Sequence, residues 1–158
     1  MKIGVMADSH DNLPAIGKAV SLFNDAGVGL VIHAGDLVAP FVAEPLRYLK
    51  ADFIAVFGNN DGERFGLHTV FGGRIHRPPH PFSFAERRIL ILHEPDNLDA
   101  LAISGKFDGI VYGHTHEPDV RRRPVPVINP GECGGWVTGR RTVAVWDPDS
   151  GQVDIIPV

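Results

Sequence analysis

The chain has 158 residues, enough to bury a core without disulfides or structural metals to staple it. Its 44% apolar and 22% charged content is that of an ordinary globular protein, and a net charge of −4 excludes a broadly basic nucleic-acid coat. One cysteine, Cys133, excludes an internal disulfide, and no apolar run reaches the ~20 residues of a membrane span.

The elements follow in chain order. Lys2 to Ala7 is an apolar run and reads as a buried strand beginning at once, with no leader ahead of it, so a cytoplasmic protein is expected. Leu13 to Ala26 carries Ile16, Ala19, Val20 and Phe23 on one helical stripe, with Asp11 or Asn12 to cap it, Pro14 in its first turn and Gly27 to stop it. Leu30 to Ala34 is a second strand. Phe41 to Lys50 is a second helical stretch, and Pro45 places its true start near Glu44. Asp52 to Phe57 is a third strand. The order β-α-β-α-β implies parallel strands with right-handed crossovers.

Val70 to His76, Phe82 to Ala85 and Arg88 to Leu92 read as successive strands. Leu98 to Ser104 reads as a short helix and Gly109 to Tyr112 as a buried strand. Val125 to Ile128, Gly135 to Thr138, Arg141 to Trp146 and Val153 to Pro157 read as strands, with a turn at Asp147 to Gly151. The 18 glycines and 13 prolines punctuate these runs as tight connections. The expectation is one α/β domain over residues 1–158, with two packed mixed β-sheets flanked by helices.

Seven residues able to bind metal sit just after five of these strands. They are Asp8 and His10 in A-D-S-H-D, Asp36 in H-A-G-D, Asn59 in F-G-N-N-D, His93 in L-I-L-H-E, and His114 and His116 in Y-G-H-T-H. Ligand sites in parallel α/β sheets form beyond the carboxyl ends of the strands, so all five segments project toward one edge. Each alone has an ordinary reading as a helix cap, a turn or a solvated strand end. Together they offer carboxylate, imidazole and amide donors, the set that suits Mn²⁺, Fe²⁺, Co²⁺, Ni²⁺ or Zn²⁺ at a hydrolytic two-metal site. Two such ions against Asp8 and Asp36 leave a positive surplus that attracts phosphate.

These motifs, in this order, resemble the calcineurin-like metallophosphoesterase superfamily. The short length and I-N-P-G at Ile128 to Gly131 resemble its small phosphodiesterase branch, which includes the scaffold subunit of retromer. The resemblance implies one ion on Asp8, His10 and His116, another on Asn59, His93 and His114, and Asp36 bridging them, with Mn²⁺ foremost among the metals. It implies hydrolysis of a small phosphodiester by a hydroxide bridging the two ions. The alternative is a protein-binding scaffold of the same fold.

Four positions depart from the family pattern. Asn60 stands where many superfamily phosphatases place a proton-donating histidine, which points to diesters with good leaving groups. Asn60 is expected to contact phosphate, and Asp61 to orient the loop or a ligand. Glu94 and Pro95 replace the usual residues after the histidine, and Glu132 replaces a small residue after N-P-G. His33 is expected to be buried or to support a bridging ligand. His68, His76 and His80 are expected on the surface at the cleft rim, Arg121 to Arg123 in a solvated turn, and Trp136 and Trp146 in the core or an interface. A homo-oligomer would pair through the Trp136 region or a strand edge.

Overall fold

A computed structural model describes residues 1–158. The chain runs β1 (Ile3–Met6), α1 (Leu13–Ala26), β2 (Leu30–His33), a single 3₁₀ turn (Pro40–Val42), α2 (Ala43–Leu46), β3 (Asp52–Val56), α3 (Arg64–Val70), β4 (Ile75–His76), β5 (His80–Phe84), β6 (Arg87–Ile91), α4 (Leu98–Ile103), β7 (Gly109–Val111), β8 (Pro118–Arg121), β9 (Val127–Pro130), β10 (Thr142–Asp147) and β11 (Gln152–Pro157). A six-stranded sheet has the order β11-β10-β1-β2-β3-β4, and a five-stranded sheet the order β5-β6-β7-β9-β8. Strands β1 to β4 are parallel, as are β6, β7 and β9, while β10, β11, β5 and β8 run antiparallel to their neighbours.

The central strands are apolar on both faces because both faces are covered. Ile3, Val5 and Ile32 meet Ile89, Ile91 and Val111 between the sheets. Met6 and Val31 point the other way, onto Ile16, Ala19, Val20 and Phe23 of α1. A Cβ at Gly4 would stand 2.7 Å from the Phe23 ring, so glycine sets how closely α1 approaches β1. On the outer face of the second sheet, Leu90 and Ile110 pack under Leu98 and Ala102 of α4. The result is the expected pair of sheets with flanking helices. Helix α1 begins as the sequence suggests: the Asn12 side chain accepts from the Ala15 N–H at 3.2 Å, and Gly27 ends the helix at φ 65°. Pro45 lies in the first turn of α2.

Several segments differ from expectation. Most of Val70 to His76 is not strand: α3 ends at Val70, Gly72 and Gly73 turn at φ 58° and 79°, and only Ile75–His76 pairs. Leu67 and Phe71, spaced i to i+4, bury against the first sheet, with the Phe71 ring 5.0 Å from that of Phe53, and this packing selects the helix. Gly135 to Thr138 is loop, because its amides bind the Glu132 carboxylate instead of a neighbouring strand. Pro118–Arg121 is an edge strand where none was expected. Trp136 is 66% exposed, outside any core, whereas Trp146 is buried at 1%. Arg121 closes β8, and Arg122 and Arg123 form the exposed turn beyond it.

Candidate metal centre

Strand direction gathers the five segments at one end of both sheets. In three of them the backbone takes left-handed conformations that residues other than glycine rarely adopt: φ is 50° at Asp8, 41° at His10, 61° at Asp36, 70° at His114 and 61° at His116. Such strain collects where function needs it. Glycines make the room. A Cβ at Gly58 would collide with the Asp36 carboxylate, and one at Gly35 with the His93 ring.

All seven candidate ligands converge. The donor atoms of Asp8, His10 and His116 lie within 4.8 Å of one another, as do those of Asp8, Asp36 and His93. Asn59 Oδ1 lies 2.8 Å from His93 Nε2 and 2.9 Å from His114 Nδ1. Asp36 Oδ2 stands 3.5 Å from His10 Nε2 and 3.5 Å from His93 Nε2, one histidine from each group. Asp8 Oδ1 is 3.7 Å from His116 Nε2. Donors that share a divalent ion, each ~2.1 Å from it, are spaced by roughly 3–3.5 Å, the scale of these separations.

The electrostatics also ask for cations. Asp8 and Asp36 are buried at 0% and 1% exposure, and buried carboxylates are costly without positive partners. Burial pushes the Asp8 carboxyl up to about 7, against the pull of His93 and His116. Burial acts the same way on Asp36, but the neighbouring His93 and hydrogen bonds from Asn60 outweigh it and hold that group below the ordinary carboxylate range. His10 Nε2 is buried with no hydrogen-bond partner, and burial lowers its pKa, favouring the free lone pair a metal takes. The residues therefore fit a pair of divalent ions.

Further groups hold this set in place. His93 Nδ1 donates to the Ala34 carbonyl at 2.8 Å, which leaves Nε2 as its ligand atom. Asp61 is buried and accepts from the Gly58, Asp36 and Val38 amides at 2.6, 3.2 and 2.6 Å. It organises the backbone of the loops that carry Asp36 and Asn59. Asn60 donates to Asp36 through its backbone N–H and its Nδ2, both at 2.8 Å. His33 is buried, bonded to Ser9 Oγ at 2.9 Å, and burial drives its pKa down to about 3, so it stays neutral. His76 and His80 stack with ring centroids 3.8 Å apart, away from the cluster.

Sequence reading left Glu132 without a role. Its carboxylate is fully buried, lies 3.3 Å from His116 Nδ1 without hydrogen-bond alignment, and accepts from the Trp136, Val137 and Thr138 amides. Trp136 Nε1 in turn donates to the His10 carbonyl at 3.1 Å. One loop thus braces two candidate ligands. A charged residue in a run of small ones, N-P-G-E-C-G-G, was the available signal.

Beside Asn59 and His93 opens a cleft of 680 Å³, with Arg64, Arg77, Glu94 and Asp96 along its walls. A groove of 740 Å³ lined by Leu13, Phe41, Val70 and Phe71 lies elsewhere and holds none of the seven ligands. Its size is no argument for chemistry.

The sequence profile of the calcineurin-like phosphoesterase superfamily domain matches residues 1–151. A phosphodiesterase of Methanocaldococcus jannaschii is 40% identical over 156 residues, 94% of each chain. A solved archaeal phosphodiesterase superposes with a TM-score of 0.91 at 39% identity, covering 100% of both chains. Vps29 of Chaetomium thermophilum, at 18% identity and a TM-score of 0.71 over 100% of this chain and 94% of its own, shares the fold. This chain belongs to the calcineurin-like phosphoesterase superfamily.

Proposed function

We propose that this protein is a divalent-metal-dependent phosphodiesterase acting on small phosphodiesters. The observation that carries the reading is Asp36, one buried carboxylate oxygen facing a histidine of each donor group. The M. jannaschii relative bearing the name phosphodiesterase supports it. In this reading Asp8, His10 and His116 hold one ion, Asn59, His93 and His114 the other, and Asp36 both. Mn²⁺ is the first candidate, with Ni²⁺, Fe²⁺, Co²⁺ and Zn²⁺ able to use the same donors. When bound, the ions supply Lewis acidity and a hydroxide nucleophile at neutral pH.

The rest falls to the chain's own groups. In this reading the Asn60 amide, now on Asp36, turns to donate to a phosphoryl oxygen. An amide donates a hydrogen bond but gives up no proton. The leaving alcohol therefore needs a low pKa, which favours aryl and other activated diesters. The cleft beside Asn59 and His93 receives an ester substituent. Two buried carboxylates and an unpartnered imidazole at one point support metal chemistry over the scaffold reading.

The test is an assay with a bis-aryl phosphodiester on chelator-stripped protein. Turnover should vanish on stripping, return with Mn²⁺ or Ni²⁺, and exceed that on the aryl monoester. Inactivity with every one of the five metals would sink the enzyme reading and leave the scaffold.

A further inference from the structure

A second polar cleft, of 340 Å³, lies at the opposite end of the sheets from the metal cluster. The strand directions that send Asp8, Asp36 and His93 to one edge send the starts of β6, β7 and β9 to the other. Arg87 opens β6, Asp108 precedes β7, and Arg122 and Arg123 lie in the turn before β9. The turn between β10 and β11 adds Ser150, and Trp146 near the end of β10 completes the wall.

Three guanidinium groups face one carboxylate here, in a chain whose net charge is −4. That carboxylate is already engaged: Asp108 Oδ2 accepts from the Arg88 N–H at 2.8 Å and lies 3.5 Å from Arg88 Nε. Arg121 is held by Asp119 and Asp99 at 2.8 and 3.0 Å. Its neighbours Arg122 and Arg123 have no hydrogen-bond or ion-pair partner. Arg87 reaches only Asp149, at 3.5 Å and largely in solvent, a pair too exposed to hold it.

The independent observation is Trp146. Its side chain is buried at 1% exposure, yet the indole N–H has no acceptor. Buried indoles usually find one, and an unpaired buried donor is costly. Trp146 also lines the cleft, so an oxyanion held by the uncommitted arginines would lie against the indole that lacks an acceptor.

We propose that this cleft binds the phosphate group of a small phosphorylated molecule. Arginine forks match phosphate oxygens two at a time, and the surplus of positive charge here suits a dianion better than a single carboxylate. The volume is at the small end of ligand pockets, which fits a compact metabolite. Binding here is separate from turnover at the metal centre and does not depend on that reading.

The chain's two tryptophans make the two ends separately readable. The Trp136 indole donates to the His10 carbonyl and reports on the metal end. The Trp146 indole reports on the cleft. Chelator-stripped, ¹⁵N-labelled protein is titrated with inorganic phosphate at constant ionic strength while both indole N–H resonances are followed. The Trp146 resonance should move saturably and that of Trp136 stay in place. In an Arg122→Ala, Arg123→Ala double variant the affinity should fall at least about tenfold, a loss of about 1.4 kcal/mol. Both side chains are exposed, and an unmoved Trp136 signal certifies the fold. A still Trp146 resonance, or equal affinity in the double variant, overturns the proposal. Co-sedimentation with phosphatidylglycerol vesicles without any response to free phosphate overturns the small-molecule assignment in favour of a membrane surface.

Discussion

The two sheets contribute to the cluster with different donors and different rigidity. The six-stranded sheet supplies the oxygen donors Asp8, Asp36 and Asn59, together with His10, whereas the five-stranded sheet supplies only imidazoles, His93, His114 and His116. The oxygen half is locked by its own backbone. The Asp8, His10 and Asp11 amides donate to the Gly35, Asp36 and Leu37 carbonyls at 3.0, 3.0 and 3.1 Å, and Asp61 ties the Gly58 and Asp36 loops together. The imidazole half is fastened largely by reaching across: His93 to the Ala34 carbonyl, His114 to Asn59, and the His114 amide to Asp8. One half is a prebuilt anionic seat. The other closes over it, and a shared cation would bind the sheets to each other.

The hardest blow to that picture is at the seat. Asp36→Asn keeps the shape and removes the charge facing both histidine groups. Losing several kcal/mol of charge stabilisation predicts a fall of about 10³-fold in diesterase kcat/KM. Elemental analysis should find both ions lost. Two ions retained at full occupancy would mean that the oxygen half is not the common seat.

Next comes the coupling between sheets. A metal present at 10²–10³ times its Kd stabilises the folded state by about 3–4 kcal/mol. For a chain of this length that shifts Tm by roughly 5–15 °C. Calorimetry with and without chelator should show the drop in the natural protein and almost none in Asp36→Asn. An unchanged Tm on chelation would mean that the sheets are joined by their apolar contacts alone.

The same division explains what sequence made readable. The oxygen half follows β-α-β units, where apolar runs, the Asn12 cap and the Gly27 stop are local signals, so the ends of β1, β2 and β3 and the candidate ligands after them could be placed. His93 and His114 were placed for the same reason, since β6 and β7 are also parallel. The failures are elements decided by distant partners. Helix α3 forms because Leu67 and Phe71 bury against Phe53. Residues 135 to 138 stay loop because Glu132 takes their amides. Edge strand β8 exists only by pairing with β9. A spacing rule sees none of these partners.

Glu132 tests the closing half through one histidine. Glu132→Gln keeps the size, removes the charge beside His116 Nδ1, and loosens the loop that carries Trp136. Groups that orient metal ligands are worth about 10–100-fold in affinity or activity. A chelator-competition titration should show that loss for one ion of the pair, with the other retained. If metal affinity is unchanged while Trp136 fluorescence shifts, Glu132 serves the loop and not the histidine.

The smallest effect expected is an absence of change, at Cys133. Its side chain is fully buried with Met6, Ile16 and Val143 on the outer face of the six-stranded sheet, and its N–H donates to the Ala7 carbonyl at 3.0 Å just before Asp8. Burial pushes the thiol up to about 12, so almost no reactive thiolate exists at neutral pH. Modification by a thiol reagent then requires the oxygen half to open. Were that half prebuilt, stripping the metals would leave the labelling rate unaltered, even as hydrogen exchange quickens in the loops that carry His93 and His114. Faster labelling on chelation would mean that metal builds the seat as well as the closure, and the contrast between the two halves would collapse into a single metal-dependent unit.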